Sequence, residues 1–142
     1  MGEICALGLD IGRRRIGLAG CDRLGLTAIE LPTLTRTSIA DDIAALATVV
    51  RDRHVTQLVI GVPYAADGSL GKQAQRTKKQ GRKFGNALEL PIAWVDERCT
   101  SVTAESMLRD RGIDPAFHRD RIDGLAAVLI LQAWLDTQRA DA

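Results

Sequence analysis

The sequence predicts an α/β chain built on one mixed five-stranded sheet: three antiparallel meander strands, then two crossover strands, with helices on both faces. Three observations predict it. The first apolar runs are joined by short turns, Gly12 to Arg14 and Cys21 to Gly25, and such short connections imply antiparallel pairing. The later runs, Leu58-Val59-Ile60 and Pro91-Ile92-Ala93-Trp94-Val95, are separated by a long helix-permissive segment, as crossovers are. Leu58-Val59-Ile60 is also continuous rather than alternating, which suits a central strand covered on both faces. At 142 residues the chain is read as a single domain spanning 1–142.

In order, residues 4–11 read as the first strand and Arg15 to Gly20 as the second. Leu26 to Leu31 makes a third strand, ended by Pro32. Thr37 or Ser38 caps a helix that carries Asp41 and Asp42 in its first turn, where the helix dipole favours acids. Ile39, Ile43, Leu46, Val49 and Val50 give that helix its apolar stripe. After the fourth strand, Pro63 and Asp67-Gly68 make a loop. Residues 70–86 form a basic helix with Leu70, Ala74 and Phe84 as its few apolar contacts, closed by Gly85 or Asn86. The fifth strand ends at Asp96-Glu97-Arg98. Thr100 or Ser101 then caps a helix to about Arg111, stopped by Gly112, and 113–121 is a charged loop. A last helix, about Ile122 to Gln138, is apolar at Ile122, Leu125, Val128, Leu129 and Leu135.

Composition sets bounds. Apolar residues are 46% and charged residues 26%, an ordinary globular mixture. The net charge is only +1, so affinity for nucleic acid has to come from a local patch. Cys5, Cys21 and Cys99 are odd in number and lack CxxC spacing, which argues against a disulfide framework and a zinc site. No signal peptide is apparent, and the apolar run Leu125 to Leu131 is far short of the ~20 residues of a membrane span. A cytoplasmic protein with no membrane partner is expected.

Chemistry concentrates in acids at the ends of elements. Asp10 interrupts the apolar strand Ala6-Leu7-Gly8-Leu9-Asp10-Ile11, and a half-buried carboxylate there needs a partner because desolvation is costly. Asp96-Glu97 ends the fifth strand and Asp123 opens the last helix. Carboxylate oxygens suit Mg²⁺ or Mn²⁺, and such ions hold a phosphodiester and generate hydroxide. Each acid has an ordinary alternative: Asp123 as a dipole-favoured first-turn acid, Asp96-Glu97 as a solvated turn or a partner of Arg98. His54 and His118 are isolated and are assigned no role. The cations Arg13, Arg14 and Arg15 follow Asp10 directly. A second basic run, Lys72, Arg76, Lys78, Lys79, Arg82 and Lys83, has no acid between Asp67 and Glu89. Lys72, Arg76, Lys79 and Lys83 are three or four apart and share one helix face, which would attract a phosphate backbone or simply be solvated. Tyr64, in the loop after the fourth strand, offers a ring for stacking on a base.

Four stretches together resemble one family. They are Gly8-Leu9-Asp10-Ile11-Gly12-Arg13-Arg14-Arg15-Ile16-Gly17-Leu18-Ala19 with Asp22; Val59-Ile60-Gly61-Val62-Pro63 with Asp67-Gly68-Ser69; Asp96-Glu97-Arg98 with Thr100-Ser101 and Ala104-Glu105; and Asp123 with Ala126-Ala127 and Leu129-Ile130-Leu131. The family is YqgF/RuvX, described as Holliday junction resolvases and as nucleases that mature the 5′ end of the small-subunit ribosomal RNA precursor. The resemblance covers nearly the whole chain. It implies a ribonuclease H-like fold and a Mg²⁺ or Mn²⁺ site on Asp10, one acid of the Asp96-Glu97 pair, and Asp123. Glu97 is favoured over Asp96, although alternate side chains of a strand face opposite ways and the sequence leaves the choice open. Two departures stand out: Ala65-Ala66 where the family usually has Asn-Met, and Arg119 where a lysine usually precedes the last acid.

The expected function is a metal-dependent nuclease acting on structured nucleic acid. Arg13 to Arg15, Arg98 and the Lys72, Arg76, Lys79 and Lys83 face would hold the flanking backbone. Processing of pre-16S ribosomal RNA is the primary reading, and resolution of branched DNA the alternative. A resolvase should be dimeric, so the chain is expected as monomer or homodimer. A non-catalytic nucleic-acid-binding module would bind without cutting. An actin-like phosphate-binding ATPase also uses an Asp-x-Gly turn, but this chain is too short for the second domain that would close over a nucleotide.

Overall fold

The computed structural model describes residues 5–22, 24–97, 109–110, 112 and 119–140, with the backbone alone at 119–123 and 139–140. The strands are β1 (Ala6–Ile11), β2 (Arg15–Cys21), β3 (Ala28–Thr35), β4 (Gln57–Val62) and β5 (Ile92–Asp96). The helices are α1 (Ile39–Arg53), α2 (Lys72–Leu88) and α3 (Arg119–Ala140). The five strands form one sheet in the order β3-β2-β1-β4-β5. The meander β1-β2-β3 is antiparallel, and β1, β4 and β5 run parallel. The three parallel strands therefore end at the same edge of the sheet.

Side-chain alternation divides the core into two layers. Leu7, Leu9, Leu58, Ile60, Ile92 and Trp94 face α1 and α2, with Leu46 and Phe84 at the centre of that layer. Ala6, Ala19, Val59, Ala93 and Val95 face α3, whose Ala127, Ile130, Leu131 and Leu135 fill the other layer. Helices thus cover both faces, as the patterning requires. Helix α3 runs antiparallel to β1. Its Ala127 backs onto Gly8, and its Gln132 accepts from the Ala28 N–H at the start of β3 (2.8 Å) and donates to the Leu26 carbonyl (2.9 Å). This direction carries the backbone of Asp123 toward the edge where β1 ends.

The approach of α3 is close. A Cβ on Gly8 would lie 2.8 Å from Leu131 Cβ and 3.1 Å from the Ala127 carbonyl oxygen. Ala6 on the same strand is buried without such a clash, so Gly8 marks the crossing point.

Several boundaries differ from the sequence expectation. Pro32 does not end β3 but lies inside it. Ile16 pairs with Leu34 and Leu18 with Leu31, a register shift that sets Pro32 and Thr33 opposite Gly17. A proline is tolerated there because β3 is an edge strand and the bulge removes the need for its N–H. Helix α2 does not stop at Gly85 or Asn86. It runs to Leu88 and is capped by Glu89 in the left-handed region at φ 56°. Gly85 serves packing instead, since a Cβ there would lie 2.6 Å from Ile92 Cδ1. The start of α3 lies at Arg119 rather than Ile122, because Arg119 to Arg121 contain no helix breaker. Ser38 is the cap of α1, its Oγ accepting from the Asp41 N–H at 3.1 Å. The proposed helix from Thr100 or Ser101 lies largely outside the described residues. Arg109 and Asp110 are helical, and Gly112 has φ +76° with its N–H bonded to the Arg109 carbonyl (2.9 Å), the stop expected of it.

Replacing Gly8 by alanine should push α3 off β1 and lower stability by about 1–3 kcal/mol, the usual cost of overpacking. A chemical denaturation midpoint checks this. An unchanged midpoint would mean that α3 accommodates the methyl group.

Candidate metal and nucleic-acid site

The site is built where the parallel strands end. Asp10 lies on the same face of β1 as Ala6 and Gly8, so its side chain projects on the α3 side. On β5, Ala93 and Val95 face α3, while Ile92 and Trp94 face α2. The alternation carries on past the strand end: Asp96 is exposed and Glu97 is half-buried on the α3 side. The Glu97 N–H donates to the Val62 carbonyl (3.1 Å), which fixes the residue beside β4. A Cβ on Gly61 would lie 2.6 Å from Glu97 Oε2, so the bare backbone of Gly61 makes room for that carboxyl. Of the pair left open by sequence, Glu97 is the acid that meets Asp10.

The two carboxyl groups strain against each other. Burial, then the Asp10 charge, a side-chain hydrogen bond with Asp10 and the Asp96 charge raise the Glu97 pKa from its ordinary 4.5 to about 8. Near neutral pH burial and the neighbouring acids therefore favour the protonated form of Glu97. Among the described side chains no group of three potential metal ligands is assembled. Asp10 and Glu97 supply two hard oxygen donors, and the side chain of Asp123 lies outside the described residues. Carboxyl oxygens crowded at a half-buried place suit a divalent cation such as Mg²⁺ or Mn²⁺, which would take the place of the Glu97 proton.

Arg13, Lys72 and Arg76 gather at this edge, lining one cleft with Gly12, whereas Lys83 lies further along α2, beside Gly85 that packs on Ile92 at the start of β5. Arg13 and Arg14 are exposed in the β1–β2 turn, and Arg15 is half-buried at the start of β2. Lys72, Arg76, Lys79 and Lys83 are all exposed on α2, as their spacing predicts. Lys78 is different. Its ammonium lies 5.5 Å from the Trp94 ring centre and 5.9 Å from that of Tyr64, so the Tyr64 ring packs against a cation of its own chain. Arg98 lies outside the described residues. Asp67 shapes its own loop by accepting from the Ser69 N–H (2.9 Å), and Asp22 likewise accepts from the Leu26 N–H (2.8 Å).

Sequence reasoning missed one buried ion pair. Arg36 Nε donates to Asp42 Oδ2 at 3.0 Å, and Asp42 is only 2% exposed. Arg36 Nη1 also donates to the Gly12 carbonyl (2.9 Å) and to Gln80 Oε1 (2.6 Å). One guanidinium thus ties α1, α2 and the turn that follows Asp10. The signal was present: Asp42 lies three residues after Ile39 and four before Leu46, on the apolar stripe of α1.

Comparison with known proteins places this architecture. The family model described as "RuvX: Holliday junction resolvase" matches residues 4–137. The chain belongs to the RuvX family. Among similar RuvX-family relatives, a protein of Synechococcus elongatus is 53% identical over 134 residues, covering 94% of this chain and 90% of the relative. One from Picosynechococcus is 51% identical over 139 residues, covering 98% and 96%. Both carry the name "Putative pre-16S rRNA nuclease". Among solved structures, Thermus thermophilus RuvC in complex with a Holliday junction substrate superposes with a TM-score of 0.61 at 14% identity, covering 98% of each chain. A second structure of Thermus thermophilus RuvC gives 0.57 at 12% identity, covering 96% of this chain and 97% of that one. The RuvX-family chain therefore has the ribonuclease H-like fold.

Two measurements follow from this geometry. Glu97 holds a proton that the unfolded chain releases at about pH 4.5, so its contribution to metal-free stability is full below that pH and is lost as pH rises through about 8. Denaturation in EDTA across this range should show stability falling with pH, and Glu97→Gln should flatten the slope. An equal slope in the variant would mean that Glu97 titrates normally. Asp42→Ala should cost about 3–5 kcal/mol by stranding Arg36 in the interior, and Arg36→Met with Asp42→Leu should recover much of it. A loss below ~1 kcal/mol in the single variant would show the pair to be solvated.

Proposed function

We propose that this chain is a divalent-metal-dependent nuclease that hydrolyses phosphodiester bonds in structured nucleic acid, and that it processes the 5′ end of pre-16S ribosomal RNA. The observation that carries this reading is the Asp10–Glu97 pair. Two carboxyl groups, from β1 and from the end of β5, meet at one half-buried place beside exposed cations. The raised Glu97 pKa, caused first by burial and then by Asp10, is in the direction expected of a place that favours added positive charge. Mg²⁺ or Mn²⁺ would be held by Asp10, Glu97 and Asp123, and when bound it supplies an activated water and neutralises charge on the phosphate. Asp10 acts from β1, the middle strand of the five. Glu97 would hold the ion as a carboxylate, in place of the proton that burial and Asp10 favour on it in the metal-free chain. Arg13, Arg14, Arg15, Lys72, Arg76, Lys79, Lys83 and Arg98 attract and hold the backbone on either side of the cut.

The choice of RNA rests on the names carried by relatives that share about half their residues with this chain over nearly its whole length. RNA trimming needs only one active site and works in a monomer, and it belongs in the cytoplasm, where ribosomal RNA matures. Resolution of a four-way DNA junction is the second reading, favoured by the family description. It requires two symmetric cuts and therefore a homodimer.

The test incubates the purified chain with Mn²⁺ or Mg²⁺ and two labelled substrates, a structured precursor RNA and a four-way DNA junction. Cleavage of the RNA is expected, lost by roughly 100-fold or more in Asp10→Asn, which keeps shape and removes charge. Cutting of the junction alone would select the second reading. Binding without cutting by both proteins would make the chain a non-catalytic nucleic-acid-binding module.

A further inference from the structure

A cleft of about 460 Å³ opens on the sheet face opposite the carboxylates. It lies between the β1–β2 turn and the N-terminal half of α2. Its walls include Ile11, Gly12, Arg13, Lys72, Arg76 and Gln80. Its size falls within the range of small-ligand sites, about 300–1,000 Å³.

Its chemistry is one-sided. Arg13, Lys72 and Arg76 are exposed cations, and no described carboxylate pairs with them or lines the cleft. The nearest acid in the network, Asp42, is already bound to Arg36. Gln80 is oriented by the same arginine. Its Oε1 accepts from Arg36 Nη1, which leaves its amide N–H groups as the donors for a ligand. Every charged group at the walls is a donor. Like charges converging on a cavity raise its potential, and an anion relieves it. The first turn of α2 contains no acid that would oppose such an anion.

Position gives the cleft its meaning. Ile11 and Gly12 line it, and they follow Asp10 directly on β1. Asp10 projects on the α3 side, while Ile11 belongs to the layer facing α1 and α2. Two sites of opposite charge thus lie on the two sides of one strand end. We propose that this cleft is a subsite for one backbone phosphate of the nucleic-acid strand, outside the phosphate that is cut, so that the strand passes over the Gly12 turn from the carboxylates to α2. This deepens the nuclease reading and rests on it for the identity of the strand. Arg36 is a positioning residue in this arrangement: through the Gly12 carbonyl and Gln80 it holds both walls of the cleft against the end of β1.

The test measures binding without chemistry. A labelled single-stranded RNA oligonucleotide is titrated with the full chain in EDTA, over a series of salt concentrations. Wild type is compared with R13Q, R76Q, the double variant R13Q/R76Q, and R51Q, which removes an exposed charge on α1 far from the cleft. All three positions are on the surface, and melting curves confirm folding. R13Q and R76Q should each weaken binding roughly tenfold, the loss of one charge-assisted contact. R51Q should leave it unchanged. The decisive readout is the slope of log affinity against log salt, which drops by about 0.7 for each phosphate no longer neutralised on a single strand. If both arginines hold the same phosphate, the double variant loses about 0.7 in all. A loss of about 1.4 would assign them to separate phosphates and overturn the single subsite. Affinities equal to that of R51Q would overturn it as well. Metal-dependent cleavage is scored on the same proteins. Cleft-dependent binding by a wild type that never cuts would remove the nuclease reading and leave the subsite standing. Cutting by a wild type whose affinity ignores the cleft would do the reverse.

Discussion

The close crossing of α3 over the two central strands is the constraint on which the rest of the structure depends. Gly8 on β1 and Gly61 on β4 both point toward that helix, and neither position has room for a side chain. The missing atoms do two things at once. They let α3 pack directly on the sheet, and at Gly61 they open the space that the Glu97 carboxyl occupies. Packing and chemistry are therefore not separable here. A larger residue at Gly61 would meet Ile130 of the helix and the carboxyl together. The same crossing sets the direction of α3, and so brings the backbone of Asp123 to the edge where Asp10 stands.

That edge stores electrostatic tension. Water would relax two carboxyl groups if they were exposed, but the pair is half-buried and burial is the largest cause of the raised Glu97 pKa. Shifts that come from burial together with a neighbouring acid cluster at functional sites. The chemistry of the donors narrows the partner. The donors at hand, the carboxyl oxygens of Asp10 and Glu97, suit a hard divalent ion.

Much of this was legible in the sequence, for reasons that differ from residue to residue. Asp10 was legible because a carboxylate inside an apolar strand is costly to keep unless something there uses its charge. The meander and crossovers were legible from turn lengths. The face of α2 with Lys72, Arg76, Lys79 and Lys83 followed from helical spacing alone. Glu97 over Asp96 was not settled, because β5 is apolar on both faces and shows no alternation of polarity to fix its parity. The deciding feature was the bare backbone of Gly61, a contact across strands that no local pattern carries. Pro32 and Gly85 misled for a related reason. Proline ends central strands but not a bulged edge, and glycine closes helices but also lets them touch a strand. Which role applies depends on the neighbour, and the neighbour is tertiary. Arg36 is the clearest case: an isolated arginine after a strand gives no sign that it bridges Asp42, Gly12 and Gln80.

The net charge of +1 conceals how the charges are arranged. Asp10 and Arg13 are three residues apart, yet the acid belongs to the α3 side of the sheet and the arginine to the cleft beside α2. Consecutive strand residues point to opposite faces, so Asp10 and Arg13 fall on different sides of the end of β1, while Arg15 keeps the parity of Ala19 and Cys21 on β2 and shares the α3 side with the acid. A polyanionic strand alone would be repelled by the carboxylates and drawn to the arginines. With a divalent ion held there, as proposed, the repulsion would fall and both sides of the strand end would attract phosphate. The cleft would then recruit the backbone whether or not the ion is bound, and the carboxylates would accept it only with the ion.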